Sequence, residues 1–180
     1  MIIIVGKTCS GKDTIVRELI KLGYKRIVTY TSRPMRKNEI DGVTYHFISE
    51  DDFLNKVDTN FFLEYKLYDT KYGTWYYGSA CEDYEKTDEK TVVILTPVGY
   101  RDLLQKTNCS HKVFYIYANN NTIRNRLKKR GDSKEEAERR LAGDNEDFKG
   151  IEKEVTRIIY NNDGTNIDSV VEKIIKYAEE

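Results

Sequence analysis

The chain has 180 residues, of which 39% are hydrophobic and 33% charged, with 30 basic and 30 acidic side chains. This length predicts one domain with a proper core, and the balanced charge excludes a global field that would favour nucleic acid or a membrane surface. No apolar run approaches a membrane span, and the sequence opens on a strand rather than a signal peptide. The three cysteines, Cys9, Cys81 and Cys109, have no metal-like spacing, which favours a reduced cytoplasmic setting.

The first element is a short apolar strand, Ile2–Val5, which leads into Gly6-Lys7-Thr8-Cys9-Ser10-Gly11-Lys12-Asp13-Thr14. A loop with glycines at both ends, between a strand and an amphipathic helix, is the pattern of a phosphate-binding P-loop. Backbone N–H groups of such a loop turn toward a β-phosphate, Lys12 bridges the β- and γ-phosphates, and the helix N-terminus faces them. We therefore predict that residues 6–14 bind ATP.

Asp13 departs from the pattern, because a Ser or Thr that binds Mg²⁺ is usual at its position. A carboxylate can still hold Mg²⁺ directly or through water, since this ion prefers hard oxygen ligands. Thr14 keeps a hydroxyl next to it. We predict Asp13 as the metal ligand and Mg²⁺, which accompanies ATP, as the cofactor.

Strands and helices alternate along most of the remaining chain. Strands are predicted over Arg26–Tyr30, Thr91–Leu95, Lys112–Tyr117 and Arg157–Tyr160, and helices over Thr14–Leu22, Val98–Lys106, Asn120–Arg130, Glu135–Lys149 and Ile167–Ala178. This alternation predicts an α/β fold, in which a parallel sheet is flanked by helices and binds ligands at the carboxyl ends of its strands.

Residues 33–83 interrupt the alternation. This segment is rich in Tyr and polar residues, and Asp41-Gly42 is a strong turn signal within it. Short β-like pieces occur at Val43–Ile48, Phe61–Tyr68 and Thr74–Gly78. The pattern predicts a small mixed lobe inserted between two strands of the core.

A series of short motifs runs through the chain in a fixed order. Thr31-Ser32-Arg33-Pro34-Met35-Arg36 is followed by Glu39-Ile40-Asp41-Gly42-Val43-Thr44-Tyr45-His46-Phe47-Ile48-Ser49, then by Phe53, Phe62-Leu63-Glu64-Tyr65 and Tyr77-Gly78-Ser79. Together with the P-loop and Arg126–Gly131, this ordered set resembles the guanylate kinase family over nearly the whole chain. The resemblance implies one domain, residues 1–180. Its P-loop kinase core would comprise residues 1–32, 84–125 and 150–180, with a lobe for the nucleoside monophosphate at 33–83 and a helical lid at 126–149.

A phosphoryl acceptor that itself carries a phosphate needs cationic clamps. Arg33 and Arg36, three residues apart in one loop, can fork onto one phosphate. Tyr45 and Tyr77 can donate O–H groups to the same oxygens. The resemblance implies the same four roles in binding the phosphate of GMP.

A guanine base offers N1–H and N2–H₂ as donors and O6 as an acceptor. The ionised Glu64 side chain only accepts hydrogen bonds, so it suits the N1–H and N2–H₂ donors. A hydroxyl such as that of Thr29 or Ser79 can donate a hydrogen bond to O6. The resemblance implies that these residues bind the base. Thr96, however, stands where the family usually has an Asp, so that GMP binding is expected to include Thr96 while the specificity for guanine stays open.

Two elements of the lobe resemble the Tyr-Gly-Ser/Thr motif of the family. Tyr72-Gly73-Thr74 is closer to the usual spacing from Glu64, whereas Tyr77-Gly78-Ser79 matches better in the surrounding residues. We predict that Tyr77 and Ser79 belong to the acceptor site, with Tyr72 and Thr74 as the alternative.

A second set of arginines lies near the donor side of the predicted site. The resemblance places Arg126, Arg130 and Arg140 on a lid over the triphosphate and Asn161 beside the adenine. Phosphoryl transfer requires in-line positioning and neutralisation of charge, and a closed lid also excludes water. The alternative is a solvated helix with i,i+4 ion pairs. The predicted catalytic residues are Lys12, Arg36, Arg126, Arg130 and Arg140.

The resemblance implies an enzyme that moves the γ-phosphate of ATP to GMP or dGMP by direct in-line transfer. One alternative is a kinase for another nucleoside or deoxynucleoside monophosphate. Another is a guanylate-kinase-like module that has lost catalysis and binds a partner protein. A simple P-loop ATPase would leave Arg33, Arg36 and Glu64 unexplained. The expected partners are ATP and GMP or dGMP, without nucleic acid or membrane, and the chain is expected to be a monomer or homodimer.

Overall fold

The computed structural model describes residues 1–70, 73–108 and 110–180 of the chain. Its strands are β1 (Ile2–Gly6), β2 (Lys25–Arg26), β3 (Tyr30–Thr31), β4 (His46–Phe47), β5 (Phe62–Thr70), β6 (Gly73–Ala80), β7 (Thr91–Ile94), β8 (Lys112–Tyr117) and β9 (Arg157–Tyr160). Its α-helices are α1 (Lys12–Lys21), α2 (Glu50–Asp58), α3 (Pro97–Lys106), α4 (Asn120–Arg130), α5 (Lys134–Asp147) and α6 (Ile167–Glu179). Among the helices of these residues, none is long and apolar enough to cross a membrane.

Five strands form a parallel core sheet in the order β2-β7-β1-β8-β9. Side chains of β1 alternate between two buried layers, one on each face of the sheet. Ile3 lies in a cluster with Leu103 of α3, whereas Ile4 lies in another with Leu19 of α1 and Ile174 of α6. Because helices cover both faces, the strands can be apolar throughout their length. The predicted α/β fold with a parallel sheet flanked by helices is confirmed.

A second sheet has four strands in the order β4-β3-β6-β5. The β5–β6 and β3–β6 pairs are antiparallel, while β3 and β4 pair in parallel. Helix α2 contributes Phe53, which is fully buried and stacks on Phe62 with ring centroids 4.3 Å apart. The inserted α/β lobe is thus part of the fold, and its boundaries at residues 33 and 83 stay a prediction.

The largest difference from the predicted elements lies between residues 25 and 31. The single strand predicted over Arg26–Tyr30 is wrong, because the structure has β2 and β3 in different sheets. Ile27 N still donates to Val92 O of the core sheet (2.9 Å), and Tyr30 then pairs with Gly78 of the second sheet. One continuous apolar run therefore crosses from one sheet to the other, which periodicity alone does not reveal.

Helix α2 is absent from the predicted elements. Ser49 caps it by accepting a hydrogen bond from Asp52 N, and acidic residues fill the first turn. This Ser-x-x-Asp spacing is the local signal that identifies the helix. The strand predicted over Val43–Ile48 shortens to β4, because Thr44 N donates to Ile40 O in a turn.

Candidate active site

The P-loop lies between the carboxyl end of β1 and the start of α1. Gly11 caps α1 with a φ of 102°, a left-handed conformation that other residues rarely adopt. A Cβ at this position would also collide with the side-chain amide of Asn161. Asn161 Nδ2 in turn donates to Ser10 O (2.7 Å), and Arg126 Nη1 donates to Cys9 O (3.1 Å). Two predicted donor-site residues therefore contact the backbone of the loop directly.

Lys12 turns back over the loop that precedes it. Its Nζ donates to Gly6 O (2.6 Å) and Lys7 O (2.9 Å). Burial lowers the pKa of Lys12, while the carboxylates of Asp13 and Asp144 act in the opposite direction. The ammonium is thus held against the backbone carbonyls of the loop.

Helix α5 also contacts the P-loop, through residues that were not predicted. Thr8 N donates to Asp144 Oδ2 (2.6 Å), and Lys7 Nζ donates to Asn145 Oδ1. Burial raises the pKa of Asp144, and the hydrogen bond from Thr8 partly offsets this effect. The predicted lid segment and the phosphate loop are therefore joined by direct hydrogen bonds.

Asp13 lies in the first turn of α1. Its side chain is about half exposed, and its Oδ1 lies 3.2 Å from Arg26 Nη1. Among the described residues, no cluster of three or more His, Cys, Asp or Glu could hold a metal ion. Mg²⁺ usually takes one or two carboxylates together with substrate phosphates and water, so that Asp13 beside the P-loop fits the predicted cofactor.

Two adjoining cavities open beside the P-loop. The first, here called the Glu64 cavity, has a volume of about 480 Å³. The predicted residues that line it are Gly6, Thr8, Cys9, Lys12, Asp13, Thr29, Arg33, Arg36, Tyr45, Glu64, Tyr77, Thr96, Arg130 and Arg140. The second, the Asn161 cleft, has about 1080 Å³. Its predicted lining residues are Cys9, Gly11, Lys12, Asp13, Thr14, Arg36, Arg126, Arg130, Arg140 and Asn161.

Four predicted catalytic cations line both cavities: Lys12, Arg36, Arg130 and Arg140. We call this set the shared wall. Burial lowers the pKa of Arg36, and the positive charges of Arg33 and Arg130 add to the effect. A concentration of positive charge on a wall common to two cavities is suited to bind anionic groups that enter from either side.

Both arginines of the acceptor loop pair with Glu39, Arg33 at close range and the Arg36 guanidinium at 3.7 Å. Arg33 is buried, and its Nη1 and Nη2 donate hydrogen bonds to the carboxylate of Glu39 at 2.6 and 2.5 Å. Although burial acts against the charge, the hydrogen bond to Glu39 raises the pKa of Arg33. Arg36 N also donates to Glu39 Oε2 (2.8 Å), while the Arg36 guanidinium reaches the shared wall. Glu39, which has no predicted role, thus orders the whole loop.

Glu64 is the buried carboxylate of its cavity, with 5% of the residue exposed. Ser79 Oγ donates to Glu64 Oε1, and Tyr84 OH donates to Ser79 Oγ (3.0 Å). Burial raises the pKa of Glu64 to about 7, although the bond from Ser79 lowers it. Gly99 leaves room for the carboxylate, since a Cβ there would lie 2.9 Å from Glu64 Cδ.

Not every predicted residue reaches a cavity. Lys7, Ser10 and Ser79 line neither the Glu64 cavity nor the Asn161 cleft, and the hydroxyl of Ser79 is engaged by Glu64. Thr96 caps α3 by accepting from Gly99 N (3.0 Å) and also faces the cavity. Tyr72, the alternative to Tyr77, lies outside the described residues, as does Cys109.

Tyr68 is a cavity residue that is absent from the predicted set. It lines the Glu64 cavity with Asp144 and Asp147, and its pKa is raised by burial and by these two carboxylates. The signal for it is the strand period, because Glu64 and Tyr68 are four residues apart in β5 and share a face.

Ion pairs fix the arginines of α4 and α5. Nε and Nη2 of Arg130 donate hydrogen bonds to the carboxylate of Asp132 at 2.6 and 2.8 Å. Arg140 Nε donates to Glu136 Oε1 (2.8 Å), and its Cζ lies 5.7 Å from the centre of the Trp75 ring. The pair of Glu136 with Arg140 has the i,i+4 spacing of the alternative predicted for this helix, whereas Asp132 was not predicted; both carboxylates hold a cation of the shared wall.

The parallel core, the P-loop and the two cavities that meet at the shared wall define a P-loop kinase of the nucleoside monophosphate class. The sequence matches the family model described as guanylate kinase over residues 1–179, and the chain belongs to this family. The predicted resemblance is therefore confirmed.

Individual relatives agree with this assignment. The chain is 32% identical over 146 residues to a guanylate kinase of Symbiobacterium thermophilum, covering 79% of this chain and 68% of the relative. It is 31% identical to a guanylate kinase of Caldanaerobacter subterraneus subsp. tengcongensis, covering 97% of this chain and 84% of the relative. The crystal structure of guanylate kinase from Anaplasma phagocytophilum superposes with a TM-score of 0.72 at 16% identity, covering 99% and 84% of the two chains. This last likeness bears on the fold alone.

Proposed function

We propose that the chain catalyses transfer of the γ-phosphate of ATP to GMP or dGMP, which yields the corresponding nucleoside diphosphate. The single observation that carries this proposal is the shared wall of Lys12, Arg36, Arg130 and Arg140 between two cavities. A kinase for a phosphorylated acceptor needs two nucleotide sites whose phosphates meet, and a simple ATPase needs only one.

The donor nucleotide is assigned to the Asn161 cleft. Asn161 and Arg126 line this cleft and also donate to carbonyls of the P-loop, which supports their predicted roles near ATP. The loop amides and Lys12 would then face the β- and γ-phosphates, and the N-terminus of α1 adds a favourable dipole.

The acceptor nucleotide is assigned to the Glu64 cavity. Its base would lie against Glu64, Thr29 and Thr96, because an ionised Glu64 accepts from the N1–H and N2–H₂ groups of guanine. Its phosphate would bind Arg33 and Arg36, with Tyr45 and Tyr77 as hydroxyl donors. Ser79 would act on the base indirectly, because its hydroxyl donates a hydrogen bond to Glu64 and does not face the cavity.

The reaction needs no side-chain nucleophile. An oxygen of the acceptor phosphate attacks the γ-phosphorus of ATP, the bond from that phosphorus to the β–γ bridging oxygen breaks, and ADP leaves. Lys12 and the arginines of the shared wall neutralise the negative charge on the transferred group and hold the reacting atoms in line. The cations therefore supply both the orientation and the electrostatic stabilisation.

Mg²⁺ is proposed as the cofactor, with Asp13 as its protein ligand and the Thr14 hydroxyl beside it. When bound, the ion would neutralise charge on the β- and γ-phosphates. The lobe boundaries at residues 33–83 and 126–149, the cytoplasmic setting and a monomeric or homodimeric state also belong to this proposal.

A coupled assay of ADP release tests the proposal, with ATP, Mg²⁺ and each of GMP, dGMP, AMP, CMP and UMP. We expect turnover with the guanine nucleotides and little with the others. Turnover with another base would keep the reaction and reassign the specificity of the Glu64 cavity. ATP binding without turnover of any acceptor would contradict the proposed substrate, and absence of ATP binding would favour a non-catalytic module.

A further inference from the structure

Glu136 is a buried carboxylate on the highly charged helix α5, whose other buried residues, Ala137 and Leu141, are apolar. Only 4% of the residue is exposed, and its carboxylate accepts hydrogen bonds from two consecutive arginines of α5. Arg139 donates Nε and Nη2 at 2.8 and 2.9 Å, and Arg140 donates Nε at 2.8 Å. These bonds, led by the one from Arg139, lower the pKa of Glu136 to about 2. The carboxylate is therefore ionised wherever the protein is folded near neutral pH.

The contact with Glu136 determines which edge of Arg140 faces the cavities. A guanidinium is planar, and its Nε edge lies opposite one terminal nitrogen. The Nε edge of Arg140 faces Glu136 at 2.8 Å and Asp132 at 3.8 Å. The Arg140 plane lies near Trp75, and Arg140 lines both the Glu64 cavity and the Asn161 cleft. Its terminal nitrogens are thus the edge available to the shared wall.

Arg139, which also donates to the Glu136 carboxylate, makes a second contact with the inserted lobe. Its Nη1 lies 3.4 Å from Asp69 O in β5, which belongs to the second sheet. Glu136 therefore binds two neighbouring arginines. Arg139 reaches β5 and also lines the Glu64 cavity, while Arg140 belongs to the shared wall and lies near Trp75 of β6.

We propose that Glu136 is a positioning residue for phosphoryl transfer, which holds the Nε edge of Arg140 so that the terminal nitrogens face the transferred phosphoryl group. This inference rests on the proposed function. Without the carboxylate, Arg140 keeps its charge and loses its fixed orientation, and a misplacement of about 1 Å costs on the order of 100-fold in rate. The loss should appear in kcat rather than in KM, because Arg140 acts on charge that develops during transfer.

The test compares Glu136→Gln with Glu138→Gln as a matched control. Glu138 lies on the same helix and pairs with Arg124 at 2.7 and 3.0 Å, but this pair is exposed and away from the cavities. We expect Glu136→Gln to lower kcat about 10- to 100-fold with little change in the KM of either nucleotide, and Glu138→Gln to behave as wild type. Glu136→Asp, which keeps the charge and shortens the reach, should give an intermediate kcat and serves if the glutamine variant does not fold.

A double-mutant cycle with Arg140→Ala separates positioning from a general structural role. If Glu136 acts through Arg140, Glu136→Gln adds no further loss of kcat to the Arg140→Ala variant. Multiplicative losses, or a wild-type kcat in Glu136→Gln, would overturn the inference while the proposed function stands. A wild-type chain that turns over no nucleotide would overturn the proposed function and this inference with it.

Discussion

Asp13 of the P-loop and Arg26 of β2 form an ion pair in which Asp13 Oδ1 and Arg26 Nη1 are 3.2 Å apart. The arginine side chain is 7% exposed, and its other terminal nitrogen donates to Thr44 O at 2.8 Å. Its guanidinium also lies 5.9 Å from the ring of Tyr45. The residue proposed to hold Mg²⁺ is therefore linked through one buried cation to the segment that carries a proposed ligand of the acceptor phosphate.

Replacing Asp13 tests its assignment to the metal. In Asp13→Asn, loss of the charged ligand should raise the Mg²⁺ concentration that gives half-maximal activity by about 10-fold or more. A titration of ADP release against Mg²⁺ measures the change. Asp51→Asn, at an exposed position in the first turn of α2, is the control. An unchanged Mg²⁺ requirement in Asp13→Asn would assign the metal to the nucleotide phosphates alone.

Arg36→Ala should impair acceptor binding far more than ATP binding. Each hydrogen bond to a charged group contributes about 1.5–3 kcal/mol, so that we expect the KM for GMP to rise about 10- to 100-fold. Arg124→Ala removes a guanidinium from an exposed ion pair and should leave both KM values unchanged. Equal effects of Arg36→Ala on the KM for ATP and for GMP would contradict its role as an acceptor clamp.

The KM for GMP should depend on pH through Glu64. Because burial raises the pKa of this carboxyl to about 7, the neutral acid predominates below that pH. A neutral Glu64 presents an O–H group to the guanine donors, so the KM for GMP should increase as the pH falls from about 8 to about 6. The KM for ATP serves as the internal reference.

Glu64→Gln should remove this pH dependence, since an amide does not titrate in this range, and should reduce the preference for GMP over AMP. Selectivity that survives the substitution would mean that other groups recognise the base.

Gly99→Ala should narrow the base pocket. A Cβ at this position would lie 2.9 Å from Glu64 Cδ and 3.3 Å from Thr96 Oγ1, and both neighbours are constrained by hydrogen bonds. We expect the KM for GMP to rise by about 10-fold or more while the KM for ATP is retained. Gly143→Ala is the matched glycine control. Its thermal stability should not fall below that of the wild type, because a Cβ on this helical glycine meets nothing within 4 Å. A normal KM for GMP in Gly99→Ala would show that Glu64 can move aside.

Local signals account for the parts of the fold that were predicted well. The bounds Lys112–Tyr117, Asn120–Arg130 and Arg157–Tyr160 agree with the structure, because apolar strands and a capped helix are defined by neighbouring residues. The stretch from Arg26 to Tyr30 differs from the single strand predicted for it, since its two halves are paired by strands distant in sequence. Neighbouring residues therefore predict whether a segment is a helix or a strand, whereas they do not predict which strand it pairs with.

The site follows the same division. The place of motif residues such as Lys12, Arg36 and Glu64 at one cavity could be predicted, because the ordered motifs resemble the guanylate kinase family, while their individual roles stay predictions. The place of Asp144 could not be predicted, since it comes from a contact that only the folded chain creates. The i,i+4 spacing places Glu136 beside Arg140, but the burial of Glu136 is not visible in that spacing. Asp144, by contrast, meets the backbone of a residue 136 positions away.

The hydrogen bond from Thr8 N to Asp144 has a consequence for how nucleotides compete for the P-loop. An amide has one hydrogen to donate, and here a carboxylate on α5 accepts it at 2.6 Å. Any phosphate oxygen that uses this amide must first displace that carboxylate, which is covalently tethered and therefore present at a high effective concentration. A nucleotide whose phosphate used the Thr8 amide would therefore bind with its intrinsic affinity reduced by this internal competition.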